Sequence, residues 1–293
     1  MKAAPSHITL TLDREALARD IRSLPSLPTV VHELLLLVHK NEVQLETITN
    51  TLRLDQALSI KVLQLTNSPF YGLSGRIDSV RDAINILGMR QLGSMVIAAA
   101  LTVQFEKLHG ESLHMDAFWR HAIACAAAAR QLAQRVGLDE PAAFTAGLLH
   151  DVGRLVVDSH YPDEAAQAIS WATENDTSYR EAERLLLGID HTEIGAWVCR
   201  HWRFPAEVIE AIAGHHQPPD AGPASLIDVV HVADAIAHAL DVAGASTESV
   251  PNIHAASWTR MGLRDHELPA LLGRMESEFN DLQAVLRPTK EMA

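Results

Sequence analysis

The stretch Ala143-Phe-Thr-Ala-Gly-Leu-Leu-His150-Asp151-Val-Gly-Arg154 sets the terms for the whole chain. It reads as an apolar helix, over about 141–157, that carries an imidazole and a carboxylate side by side. Burying both without a partner is costly. A metal ion relieves that cost, because it takes neutral imidazole nitrogen and carboxylate oxygen together. One such pair could equally face water at a helix end. Corresponding His and Asp residues elsewhere in the chain decide between the two.

Composition supports a helical setting. Of 293 residues, 47% are hydrophobic and only 5% aromatic, with Ala and Leu dominant. These are strong helix formers, so the expected fold class is all-α, a helical bundle. A net charge of −13 with no basic block argues against a nucleic-acid or anionic-membrane surface. Cys125 and Cys199 read as buried thiols rather than a disulfide framework. No apolar run reaches the length of a membrane span, and no signal peptide is visible, so the expected location is cytoplasmic.

Taken in order, residues 1–22 form a polar lead-in with a short amphipathic piece at Arg14–Ile21. Residues 23–110 form an N-terminal helical part. It starts at the stiff Leu24-Pro-Ser-Leu-Pro28 and continues with helices over 30–38, 45–54 and 56–66. Asn67-Ser-Pro-Phe-Tyr-Gly72 stops the third of these. Asp78 or Ser79 caps the next helix, and a very apolar central helix runs from Gln91 to Phe105. Asn67, Ser68 and Tyr71 could form a partner surface, but a plain helix stop is the simpler reading.

Residues 111–242 form a second helical core, with helices at about 118–136, 141–157, 162–174, 179–187, 191–199, 205–214 and 225–239. Residues 243–293 supply a loop, to about 254, and a C-terminal helix over 267–286.

Within the second core, His121, His150, Asp151, His191, His215, His216 and Asp234 all sit in otherwise apolar helices. A bundle can aim such side chains into one cavity. Imidazoles with two carboxylates suit first-row transition metals, not all-oxygen calcium or magnesium cages. Arg154 follows the His-Asp pair and reads either as a phosphate clamp or as a surface arginine near a helix end. His216 could be a ligand or only orient its neighbour. The other eleven histidines, His32 and His231 among them, read as ordinary core or surface residues.

These residues, in this order over about 116–240, resemble the ligand series of HD-superfamily metal-dependent phosphohydrolases. The resemblance implies that Asp151 bridges two metals. His121, His150 and Asp234 then complete one position, and His191 with His215 and His216 serves the other. Leu24-Pro-Ser-Leu-Pro28, Leu54-Asp55-Gln-Ala-Leu, Leu65-Thr-Asn-Ser-Pro-Phe-Tyr-Gly72 and Ile84–Gly88 are similar to HDOD domains, relatives of those hydrolases found in bacterial signalling proteins. That second resemblance covers about residues 20–240. It implies an N-terminal helical subdomain packed on an HD-like metal-binding core.

Many HDOD proteins lack the ligand set, whereas this chain keeps it. It departs from the cyclic-di-GMP phosphodiesterase branch, because His215-His216 is followed by Gln-Pro-Pro and Ala117 stands one turn before His121 where a further carboxylate would recruit a third metal.

The function expected is a signalling or regulatory module with two divalent transition metals, iron first, then manganese, nickel or zinc. Its signalling protein partners would dock on the N-terminal half. The alternatives are a phosphohydrolase or phosphodiesterase acting on a nucleotide or cyclic dinucleotide, with Asp151 and Arg154 as catalytic residues, and a metal-based redox or oxygen sensor.

Overall fold

The computed structural model describes residues 10–27, 56–69, 77–105, 113–242 and 250–286, with Val31, Leu52 and Gly244 as single positions. The helices expected over 30–38 and 45–54, and Tyr71, lie outside the described residues.

Among the described residues every regular element is helical. The lead-in holds α1 (Arg14–Ser23), capped by Asp13, which accepts from the Glu15 amide. Its Leu17 and Ile21 are buried, and its Arg14 pairs with Glu193 at 2.6 Å. In the N-terminal part, α2 (Gln56–Thr66) and α3 (Val80–Leu87) pack with α4 (Met89–Phe105). Ser79 is the residue that caps α3. Asn67 donates to the Ile77 carbonyl and accepts from the Ile77 amide at 2.8 and 2.7 Å. Its side chain therefore ties the end of α2 to the segment ahead of α3, as the helix-stop reading holds.

The second core starts with α5 (Met115–Val136), three residues earlier than the sequence suggests and closed by Gly137 in the left-handed conformation. It is buried almost throughout, and its alanines let neighbours come close. α6 (Glu140–Leu149) comes closest: a Cβ on Gly147 would stand 2.9 Å from Ala126 Cα and from the Cys125 carbonyl. α4 also packs on α6, which joins the N-terminal part to the core.

The single helix expected over 141–157 is two. α6 ends at Leu149, and α7 (Val152–His160) begins after His150 and Asp151. Asp151 sits at φ −103°, ψ 10°, outside the helical well, so the chain turns at the His-Asp pair.

α8 (Pro162–Asn175) and α9 (Tyr179–Leu186) pack on one another, and α8 packs on α7. α10 (His191–His201), α11 (Ala206–Gly214) and α12 (Leu226–Ala239) complete the core. α10 lies against α7 and α11, and α12 against α5, α6 and α11. Two further helices follow. α13 (Ala255–Met261) falls just past the expected loop, and α14 (Leu268–Leu286) is the C-terminal helix. α14 packs on α5, α2 and α4, so it straps both halves together. Its Glu278 is buried against Arg130 at 2.6 Å and accepts from Gln131 at 2.8 Å.

Candidate metal centre

All seven donors singled out in the sequence meet at one place, where α5, α6, α7, α10, α11 and α12 converge. His121 Nε2 lies 3.1 Å from Asp234 Oδ1 and 3.2 Å from His150 Nε2. His150 Nε2 is 3.6 Å from Asp234 Oδ1 and 3.7 Å from Asp151 Oδ1. On the other side of Asp151, the same Oδ1 is 3.3 Å from His191 Nε2 and 3.9 Å from His215 Nε2. His216 joins through its Nε2, 3.1 Å from that of His191. Asp151 therefore stands between two groups of imidazoles. Donor sets from both sides, His121–His150–Asp151 and His191–His215–His216 among them, each hold their ligand atoms within 4.8 Å.

Local hydrogen bonds fix which nitrogen faces inward. His150 Nδ1 pairs with the Gly147 carbonyl at 2.7 Å, and His215 Nδ1 with the Ile212 carbonyl at 2.8 Å. His191 Nδ1 pairs with Glu183 Oε2 at 2.5 Å, and the same oxygen accepts from the His191 amide. With Nδ1 engaged as a donor, each neutral ring turns a lone pair on Nε2 into the cluster, the tautomer that a metal takes. His215 Nε2 is buried with no hydrogen-bond partner. An unpaired buried acceptor is costly, and a cation at that point removes the cost.

The charges fit the same reading. Burial would raise Asp151 and Asp234, but the surrounding imidazoles, and Arg154 in the case of Asp151, hold both carboxyls well below their usual range. Burial and the neighbouring rings push His215 well below the ordinary imidazole value and His216 down to about 3, and burial lowers His121. Burial would lower His150 and His191 as well, but the acidic groups beside them raise both, and a metal would displace their proton. Ionised carboxylates and neutral imidazoles are the forms that bind transition metals.

Arg154 is not a surface arginine. It is half-buried, its Nη1 donates to Asp151 Oδ2 at 3.1 Å, and its guanidinium lies 4.7 Å over the Tyr179 ring. His231, by contrast, is structural, as expected. Its Nδ1 pairs with the His215 carbonyl at 2.7 Å, and its Nε2 accepts from the His254 amide at 2.8 Å. A separate cavity of about 320 Å³ is lined by Ala124, Ala128, Ile236, Leu240 and Phe279 among others and holds none of the donors.

Three residues at the site escaped the sequence reading. Glu183 is buried against His191, and Tyr179 stacks on the same ring at 6.3 Å. His238 Nε2 lies 3.3 Å from Asp234 Oδ1. The available signals were a Glu on the buried side of α9 and a His one helical turn after Asp234.

The chain resembles several known proteins. A protein from Treponema pallidum, named only as uncharacterised, is 26% identical over 208 residues, 70% of this chain and 40% of its own length. Ribonuclease Y of Thermus thermophilus is 33% identical over 144 residues, 49% of this chain but 20% of its own length. The match thus spans less than half of either curated relative.

Among solved structures, a protein from Shewanella amazonensis described as a candidate phosphohydrolase superposes with a TM-score of 0.74 at 29% identity, covering 92% of this chain and 98% of its own. An HDOD domain protein of unknown function from Geobacter sulfurreducens superposes with a TM-score of 0.73 at 24% identity, covering 93% and 97%, and shares the fold. The HDOD domain family model matches residues 24–218, about two thirds of the sequence, and the chain belongs to the HDOD domain family.

Proposed function

We propose that this chain is a signalling or regulatory HDOD module whose HD-like core holds two divalent transition-metal ions. One observation carries the reading: three buried histidines spend Nδ1 on fixed acceptors and turn Nε2 toward a shared Asp151, with His215 Nε2 left unpaired. His121, His150 and Asp234 would hold one ion, His191, His215 and His216 the other, and Asp151 would touch both. Iron is the first candidate, and manganese, nickel or zinc suit the same mixed nitrogen and oxygen set. When bound, such ions supply positive charge against a phosphate and acidify water.

The residues of the chain itself do the rest. Asp151 keeps its charge between the two groups of rings. Glu183 holds the His191 ring in place. Arg154 offers a planar donor fork beside Asp151, poised for a phosphate oxygen.

A second reading, a phosphohydrolase or phosphodiesterase acting on a nucleotide or cyclic dinucleotide, is favoured by the complete donor set, by Arg154 and by the Shewanella relative. The module is preferred because α2, α3, α4 and α14 lie outside the donor cluster and would offer a surface for a signalling protein partner. The setting proposed is cytoplasmic. Among the described residues, no helix is long and apolar enough to cross a membrane.

The test is metal analysis of purified and reconstituted protein, followed by assays on cyclic and linear nucleotides with wild type and Asp151→Ala. Full metal loading without turnover supports the module. Turnover that disappears in Asp151→Ala establishes the enzyme instead. Protein that takes up no iron, manganese, nickel or zinc sinks both readings.

A further inference from the structure

His238 follows Asp234 by four residues on α12, so both side chains leave the helix on one face, one turn apart. His238 Nε2 is 3.3 Å from Asp234 Oδ1. That same oxygen is 3.1 Å from His121 Nε2 and 3.6 Å from His150 Nε2. Three imidazole nitrogens therefore surround a single carboxylate oxygen. A carboxylate oxygen has two lone pairs, so three N–H groups cannot all donate to it. His150 in addition has its Nδ1 on the Gly147 carbonyl, so its neutral ring presents an acceptor, not a donor, to Asp234. The His121 and His238 N–H groups can fill the two lone pairs, but the His150 lone pair then faces the carboxylate with no proton between them. A cation placed among the four atoms satisfies all of them.

The spacing fits such a cation. Bonds of about 2.0–2.2 Å place adjacent donor atoms of one ion roughly 3–3.5 Å apart. Four of the separations among these donors are 3.1, 3.2, 3.3 and 3.6 Å, and the ligand atoms of His121, Asp234 and His238 all lie within 4.8 Å of one another. The ring of His238 also lies 4.4 Å from that of His121, centroid to centroid. Its side chain is 15% exposed against 6% for His121, so it closes the group on its more open side.

We infer that His238 is a further protein ligand of the ion held by His121, His150, Asp234 and the shared Asp151, taking a coordination position that water would otherwise fill. The inference rests on the metal reading above. It divides the two positions by role. The ion beside His238 would have five protein donors, whereas the position of His191, His215 and His216 would have four with Asp151, which leaves an ion there a place for water or a phosphate oxygen.

The test loads the full chain with cobalt(II) as a spectroscopic probe and compares wild type with His238→Gln and His238→Cys. The Gln amide still donates to Asp234 but lacks the imidazole ligand. His238→Gln should weaken one of two sites by on the order of 100-fold, beyond the smaller loss typical of a residue that only orients a ligand, and should alter the visible absorption of the ion there. His238→Cys should add a thiolate-to-cobalt charge-transfer band in the near ultraviolet, which only a direct bond produces.

Unchanged absorption in His238→Gln with no such band in His238→Cys overturns the inference, even if one site is weaker, because His238 then only orients Asp234. Wild type that binds one or two ions under that outcome leaves the metal reading standing. Wild type that binds none overturns both.

Discussion

The close approach of α7 to α10 depends on Gly153, and Gly153→Ala is the sharpest perturbation of the site that replaces no donor. A Cβ at this position would stand 2.1 Å from the His191 carbonyl oxygen, 2.8 Å from the His191 carbonyl carbon and 2.9 Å from the Gly195 amide nitrogen. All three are backbone atoms, so no side chain can swing away. Real Cβ contacts essentially never fall below 3.0 Å, so α7 and α10 must separate by at least 3.0 − 2.1 = 0.9 Å at this point. Overpacking of this kind typically costs about 1–3 kcal/mol, and the backbone contacts put Gly153→Ala at the upper end.

The displacement matters more than the energy. His191 stands at the contact itself, and metal ligands tolerate only about 0.2 Å of error. We expect Gly153→Ala to lower the thermal midpoint by several degrees and to lose the ion at His191, His215 and His216, while His121, His150 and Asp234 keep theirs. Gly195→Ala is the matched control. Its Cβ would meet Ile212 Cγ2 at 3.1 Å and Val152 Cγ1 at 3.3 Å, both movable side-chain atoms, and alanine favours the helix. Metal content by elemental analysis and unfolding by circular dichroism decide the matter. Wild-type stability and two retained ions in Gly153→Ala would refute the reasoning.

Two further predictions follow from buried carboxylates. Glu183→Gln replaces the acceptor that fixes the His191 ring at 2.5 Å and should weaken uptake at that position about 10–100-fold in a metal titration, and unchanged affinity counts against this role. Burial lifts Glu278 from 4.5 to about 7 despite Arg130 and Gln131. A carboxyl raised on folding stabilises most below its unfolded value and loses that contribution as pH rises through the folded one. Relative to Glu278→Gln, wild type should therefore lose about 3 kcal/mol between pH 4.5 and pH 8 in urea unfolding. The Arg130 pair is already contained in the value of about 7, and a flat difference between the two proteins removes the claim.

Much of the site is legible in the sequence because its donors break a strong pattern. His121 lies in an alanine-rich run, and His215 and Asp234 lie in helices of Ala, Ile and Val, so each stands out as a polar group with no local reason to be there. The left-handed stop at Gly137 and the Ser79 cap are equally local and equally readable. What escapes is set by distant contacts. Glu183 looks like one more charge on a helix that is polar on its other side, and only the fold brings it to His191. His238 sits in the last turn of α12, where a histidine is ordinary for its interaction with the helix end. α13 is short and held by packing on α12, so periodicity does not reveal it.

The break between α6 and α7 is the feature that propensity conceals most fully. Ala, Leu and Val run through 142–157 without a helix breaker other than Gly147 and Gly153, yet the chain turns at His150-Asp151. On a straight helix two adjacent residues project about 100° apart and could not share a pocket. The turn makes His150 the cap of one helix and Asp151 the first cap of the next, so both side chains reach the same point.

A comparison with Asp190 shows what this arrangement achieves. Asp190 also stands at a helix N-terminus beside a histidine. There it does what an aspartate at such a position usually does: it accepts from the Glu193 amide at 3.1 Å and is clamped by Arg180 and Arg184 at 2.8 and 2.7 Å. Asp151 makes no such cap bond. Its carboxylate faces His191 at 3.3 Å and Arg154 at 3.1 Å instead. A buried aspartate at a helix start forgoes its ordinary partner only where other positive or proton-donating groups hold it. In this pair Asp190 is committed to the fold, and Asp151 is left to the site.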